Sequence, residues 1–184
     1  MPGKNLNPHS DLVGEAAIRK IAKYLPVACE EPDNVEARTE MSLAATFAGL
    51  AFNDPITHVG YSIADALSCR FHTPHGYNCA VALPAAMRLV APALPEKMRV
   101  IAEAMGASLT GSESGEELGD IVAGKILELM RKIGIEPLSK YAPSREKVLK
   151  LAPEVVSNHL SSYCPVTITE DVAAKLLAEV YDNY

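Results

Sequence analysis

The sequence predicts an all-α, bundle-like domain, and three observations predict it. Strand signals are scarce: aromatic residues make up 5% of the chain, there is no Trp, and alternating Val/Ile/Thr runs are almost absent. Ala-rich stretches with apolar residues at helical spacing fill most of the length. Prolines, and in places glycines, delimit those stretches. With 184 residues, 48% of them hydrophobic, the chain can bury a substantial core.

The first helix is expected from Ser10 to Tyr24, where Val13, Ala17, Ile21 and Tyr24 share one face and Pro26 falls near the end. A second follows from Asn34, a suitable N-cap, to Phe52. Its Ala44-Ala45-Thr46-Phe47-Ala48-Gly49 segment is rich in small residues, which suits close packing against a neighbour. After Pro55 a third helix is expected from Thr57 to Phe71, and after Pro74-His75-Gly76 a fourth to Val90, bent at Pro84. Glu96 to Met105 reads as a short helix closed by Gly106, and residues 107–116 as a polar loop. Glu117 to Ile133 is a long amphipathic helix with Leu118, Ile121, Val122, Ile126, Leu129, Met130 and Ile133 on one face. Ser144 is expected to cap a helix to Ser157, His159 to Ile168 to form a loop, and Thr169 to cap the last helix to Tyr181. No internal repeat, low-complexity tract or dividing linker is present, so residues 1–184 are expected to form one helical domain.

Charge and cysteine usage narrow the function classes. The formal net charge is −6, which argues against nucleic-acid or membrane-surface partners, because both select basic faces. No run of roughly 18 apolar residues exists to span a membrane. Met1 to Pro8 lacks the apolar core of a secretory signal, so a cytoplasmic location is the expectation. Cys29, Cys69, Cys79 and Cys164 include no C-x-x-C pair and read as free thiols in a reducing compartment.

The chemistry-bearing stretch is residues 53–84. On a helical wheel His58, Tyr61, Ser62, Asp65, Cys69 and His72 fall on one stripe, opposite Val59, Ile63, Ala66, Leu67 and Phe71. In an otherwise apolar neighbourhood this stripe reads as the wall of a cleft, with His75 following after a turn. A surface face with incidental histidines is the plainer alternative. Two histidines and a carboxylate on one stripe also suit a divalent metal. Cys69 has no clear basic activator beyond His72 and reads as an unreactive thiol.

The Thr73-Pro74-His75-Gly76 run, with Asn78 and Leu83-Pro84 behind it, resembles the signature of iron-containing (group III) alcohol dehydrogenases. So does Ala37-Arg38-Thr39-Glu40-Met41-Ser42-Leu43-Ala44 leading into Ala48-Gly49-Leu50-Ala51-Phe52. The resemblance extends from Ala16-Ala17-Ile18 with Leu25-Pro26 to Pro165-Val166-Thr167 and the final helix, and it is to the helical C-terminal domain of these and dehydroquinate synthase-like proteins. It implies an NAD(P)-dependent alcohol/aldehyde oxidoreductase whose Fe²⁺ or Zn²⁺ is held by an Asp and a His on one helix (D-x-x-x-H), a His on a later helix, and the His of the Pro-His-Gly turn. His75 matches the last and is the candidate metal ligand. Tyr61 stands where the other late His is expected, and Asp65 where a further His is common; with His72 they are the candidate catalytic residues.

The first two ligands are expected to lie before Met1, since His9 has no D-x-x-x-H arrangement around it. No glycine-rich phosphate loop is present, so a Rossmann-like domain is expected to be absent from this chain. The resulting expectation is a domain inactive alone, binding neither metal nor NAD(P) by itself, that pairs with a separate Rossmann-domain chain or self-associates. The alternative is a non-catalytic helical subunit or a truncated fragment paired with such a chain.

Overall fold

The computed structural model describes residues 7–53 and 55–183; Met1 to Leu6, most of the segment read above for a leader, lie outside them. Among the described residues there is no strand. The helices are α1 (Pro8–Glu30), α2 (Val35–Phe52), α3 (Val59–Phe71), α4 (His75–Val90), α5 (Pro95–Ala104), α6 (Gly115–Lys132), α7 (Arg145–Leu149), α8 (Ala152–Ser157) and α9 (Glu170–Asp182). Short 3₁₀ turns lie at Ala91–Ala93, Leu138–Lys140 and His159–Tyr163. No helix among the described residues is long and apolar enough to cross a membrane.

The start signals act as the sequence suggests. Asn34, Ser144 and Thr169 each accept a backbone N–H of the first helical turn. Ser114 does the same for α6 and, with Glu117, completes a reciprocal capping box, so α6 begins two residues earlier than its apolar face suggests. Gly106 and Gly134 take positive φ (79° and 72°) just beyond α5 and α6, which a residue without Cβ adopts at no steric cost.

The differences fall at prolines and histidines. α1 continues through Pro26 to Glu30, because one absent N–H costs a single bond back to Ala22 while Pro26 itself is buried. The helix expected from Ser144 to Ser157 is divided into α7 and α8, since Pro153 cannot donate back to Leu149. The loop expected from His159 holds a 3₁₀ turn capped by Asn158, which accepts the Leu160 N–H at 3.0 Å.

α3, α4, α6 and α9, with α5, α7 and α8 against them, enclose one apolar core. Ile63, Leu67, Met98, Leu118, Leu138 and Leu177 are fully buried in it. Each contributes about 1.5–3 kcal/mol by leaving water. α1 and α2 form an antiparallel hairpin beside that core. Ala37, Ala44 and Ala51 recur every seventh residue along α2 and are its buried positions, with Gly14 and Ala17 on α1. Lys20 pairs with Glu40 across the hairpin, and Lys97 pairs with Asp11 at 2.7 Å to fasten α1 to α5. Of the small-residue segment on α2, only Ala44 is fully buried; Ala45, Thr46 and Gly49 face outward.

Candidate functional site

The stripe of polar residues is partly broken up by the ends of α3. His58 is the residue before the helix and is buried. His72 is the C-cap in the left-handed conformation (φ 55°), exposed, and joined by no side-chain bond to the other candidates. Ser62 points into the protein, its Oγ 2.9 Å from Ser161 Oγ. Tyr61, Asp65 and Cys69, at i, i+4 and i+8, keep the outward side of α3. On the opposite side Val59, Ile63, Ala66 and Leu67 are buried, and Phe71 packs partly against the same core.

The turn from α3 to α4 carries His75 back over that outward side. Asn78 is fully buried: Thr73 Oγ1 donates to Asn78 Oδ1 at 2.8 Å, and Asn78 Nδ2 donates to Ser68 Oγ at 2.7 Å. These bonds tie the first turn of α4 to the last turn of α3, which is what Thr73 and Asn78 contribute to the Thr-Pro-His-Gly sequence. Tyr77 anchors the same turn from the other side by donating to the Glu136 carbonyl at 3.0 Å.

His75 therefore meets Tyr61 edge to face, with ring centroids 5.3 Å apart and planes at 66°. Its Nδ1 lies 3.5 Å from Asp65 Oδ1, and its Nε2 lies 3.4 Å from Cys79 Sγ. Asn158 Nδ2 donates to Asp65 Oδ2 at 3.0 Å, so both Asp65 oxygens are engaged. Burial, and then the Cys79 and Asp65 charges, raise the Tyr61 phenol above its ordinary value of 10.0. Burial, and then the Asp65 charge, push the Cys79 thiol up to about 11.

Sequence reading did not assign Cys79 or Asn158 to this cluster. The four-residue spacing from His75 on one helix is a signal that finds Cys79. Asn158 is distant in sequence, and only the docking of α8 onto α3 brings it to Asp65.

The profile of the C-terminal domain of the Fe-containing alcohol dehydrogenase family matches residues 3–181. The chain belongs to that family. It is 29% identical over 181 residues to the long-chain primary alcohol dehydrogenase of Thermoanaerobacter ethanolicus, an alignment spanning 95% of the chain and 45% of that enzyme. It is 36% identical over 132 residues to the 1,3-propanediol dehydrogenase of Klebsiella pneumoniae, spanning 72% of the chain and 34% of that enzyme. In three dimensions it matches a solved 1,3-propanediol oxidoreductase at TM-score 0.91 and 29% identity, over 98% of this chain and 47% of that one. An alcohol dehydrogenase from Oenococcus oeni matches at TM-score 0.90 and 26% identity, over 97% and 47%. The chain thus spans less than half the length of these relatives.

The iron of the family name does not fit the described residues by themselves. Among them no three His, Cys, Asp or Glu side chains are grouped to hold an ion. Tyr61, a neutral phenol at physiological pH, stands beside His75, and Asp65 is held by Asn158 and His75.

Proposed function

We propose that this chain is the C-terminal half of an NAD(P)-dependent alcohol/aldehyde oxidoreductase and that it works only with a nucleotide-binding half. The observation that carries this reading is the family match over residues 3–181 to a domain that makes up less than half of its relatives. Sulfoacetaldehyde reductase from Bifidobacterium kashiwanohense, solved with NAD⁺, matches over 99% of this chain at 26% identity. The chain itself carries no glycine-rich phosphate loop, so the nucleotide belongs to the other half.

The chain's own share of the chemistry is a polar wall. Asp65, fixed by Asn158, orients His75. Tyr61, kept protonated by its partly buried setting, offers a hydrogen bond to a substrate oxygen. His72, at the end of α3, is assigned to the rim of the same cleft as a proton carrier.

The non-catalytic alternative draws on Tyr61, which occupies the position where the family signature implies a histidine. One experiment separates the two. The protein is isolated from its own cells with whatever it is bound to, and NADPH- and NADH-dependent aldehyde reduction is followed by absorbance. The native assembly is expected to turn over, the purified chain to be inert, and His75→Ala to abolish turnover in the assembly. An assembly that forms but shows no turnover favours the non-catalytic subunit. Turnover that survives both His75→Ala and Asp65→Asn removes this cluster from the reaction.

A further inference from the structure

Among the described residues, every polar side chain of the cluster is met by another except the Tyr61 phenol. His75 Nδ1 lies 3.5 Å from Asp65 Oδ1, and its Nε2 lies 3.4 Å from Cys79 Sγ. A histidine that holds a cation keeps one ring nitrogen bare toward it and steadies the ring through the other. Here both nitrogens face side chains of this chain's own helices. Asp65 has one oxygen toward His75 and the other bonded to Asn158. The Tyr61 ring rests edge to face on His75, and its hydroxyl has no hydrogen-bond partner among the described residues.

A phenol in that position offers its O–H to an oxygen acceptor. As a neutral group it is a poor ligand for a divalent cation. Its setting limits its movement from two sides. α3 places Tyr61 one turn before Asp65, and the His75 ring restricts the swing of the phenol. Asp65 and Asn158 hold that imidazole in turn. The network is a buttress behind one free hydroxyl.

We propose that, within the oxidoreductase proposed above, the Tyr61 hydroxyl fills the role of a Lewis-acid ion: it hydrogen-bonds the aldehyde oxygen directly and protonates it as hydride arrives, with no metal ion between chain and substrate. This role rests on the oxidoreductase reading, which supplies the reduced nicotinamide. Hydride passes from the nicotinamide to the carbonyl carbon, and the C=O π pair moves onto oxygen. That oxygen takes the Tyr61 proton, so the products are the primary alcohol and the oxidised nicotinamide. The Tyr61 phenolate regains a proton from solvent. His75 and Asp65 are positioning residues in this step.

The test uses the native assembly from cells, dialysed against a chelator. Its iron and zinc are measured by plasma mass spectrometry, and aldehyde reduction is followed before and after dialysis. Binding of the reduced nicotinamide is read separately by fluorescence, and circular dichroism checks each variant. The expected assembly holds no stoichiometric iron or zinc and turns over equally after dialysis. Tyr61→Phe, which keeps the ring on His75, is expected to lower kcat by roughly 100-fold or more with nicotinamide affinity unchanged. It also removes the solvent deuterium isotope effect of the parent. Stoichiometric iron or zinc whose removal stops turnover overturns this role alone. So does a Tyr61→Phe assembly that keeps the parent kcat. An assembly that binds no nicotinamide and reduces no aldehyde overturns the oxidoreductase reading and this role together.

Discussion

At the residue scale, the cluster is governed by what each group loses in leaving water. Cys79 has His75 as a hydrogen-bonding neighbour, yet its partial burial and the negative field of Asp65 keep it a thiol. Its value is raised from 9.0 to about 11, so the folded state holds the proton more tightly than the unfolded chain does. That contribution to stability is complete below about pH 9 and is lost as pH rises through about 11. Reactivity follows the same sign. In iodoacetamide labelling read by peptide mass spectrometry at pH 8, the exposed Cys29 and Cys69 should be modified before Cys79, whose rate should climb only toward pH 11. Asp65→Asn should speed Cys79 labelling at a given pH by removing the neighbouring charge. Equal rates for Cys69 and Cys79 at pH 8, or no response to Asp65→Asn, would contradict this account. The approach of His75 to Tyr61 was legible in the sequence, because helical spacing placed Tyr61 on α3 and the Pro-His-Gly turn returned the chain over it. Helical spacing could not show that His72 leaves the helix in a left-handed cap or that Ser62 turns inward, because both depend on where α3 ends and what packs on it.

At the element scale, the starts of helices were more legible than their interruptions. Asn34, Ser144 and Thr169 cap by local bonds that a few residues determine, whereas Pro26 and Pro153 look alike in sequence and act differently. Pro26 sits late in a long helix buried against its partner, while Pro153 stands in the first turn of a six-residue helix, just after a five-residue one ends. The closest helix contacts were not legible at all. α6 crosses the end of α4 so tightly that a Cβ on Gly119 would lie 2.8 Å from Ala91 Cβ and 3.3 Å from Arg88 Cα. On the same helix, a Cβ on Gly124 would meet nothing within 4 Å. Both substitutions to Ala gain helix propensity, about 0.5–1 kcal/mol. At Gly119 the overlap costs about 1–3 kcal/mol and wins, since backbone of α4 must move. Thermal melts should therefore show Gly119→Ala lowered and Gly124→Ala raised relative to the parent. A raised melting temperature for Gly119→Ala would mean that the crossing of α4 and α6 is loose enough to admit a methyl group. Arg88 strengthens the same crossing by reaching Asp120 on α6 and Glu179 on α9.

At the scale of the whole molecule, the two sides of α2 are treated differently. One side is the alanine seam against α1. Another carries Leu43 at 41% exposure and Leu50 at 50%, and no charged residue occurs between Met41 and Asn53. Scattered exposed leucines are ordinary on soluble proteins, but an uncharged helix face two turns long is not. Leu43 and Leu50 are seven residues apart, so they project on the same side about 10 Å from each other, with small residues between them that let another surface approach. Covering this face would remove Leu43 and Leu50 from water. Without the nucleotide-binding half, a second copy of the chain is the available cover. Sedimentation velocity on the purified chain should therefore show a weight-average coefficient that rises with concentration. Leu43→Glu combined with Leu50→Glu should return it to a concentration-independent monomer with unchanged circular dichroism, since both side chains lie outside the core and the substitutions add two like charges to the contact. The same double variant should weaken recovery of the native assembly from cells. A parent chain that stays monomeric at high concentration, together with a double variant that still recovers its partner, would show that the outer face of α2 is not the docking surface of the proposed assembly.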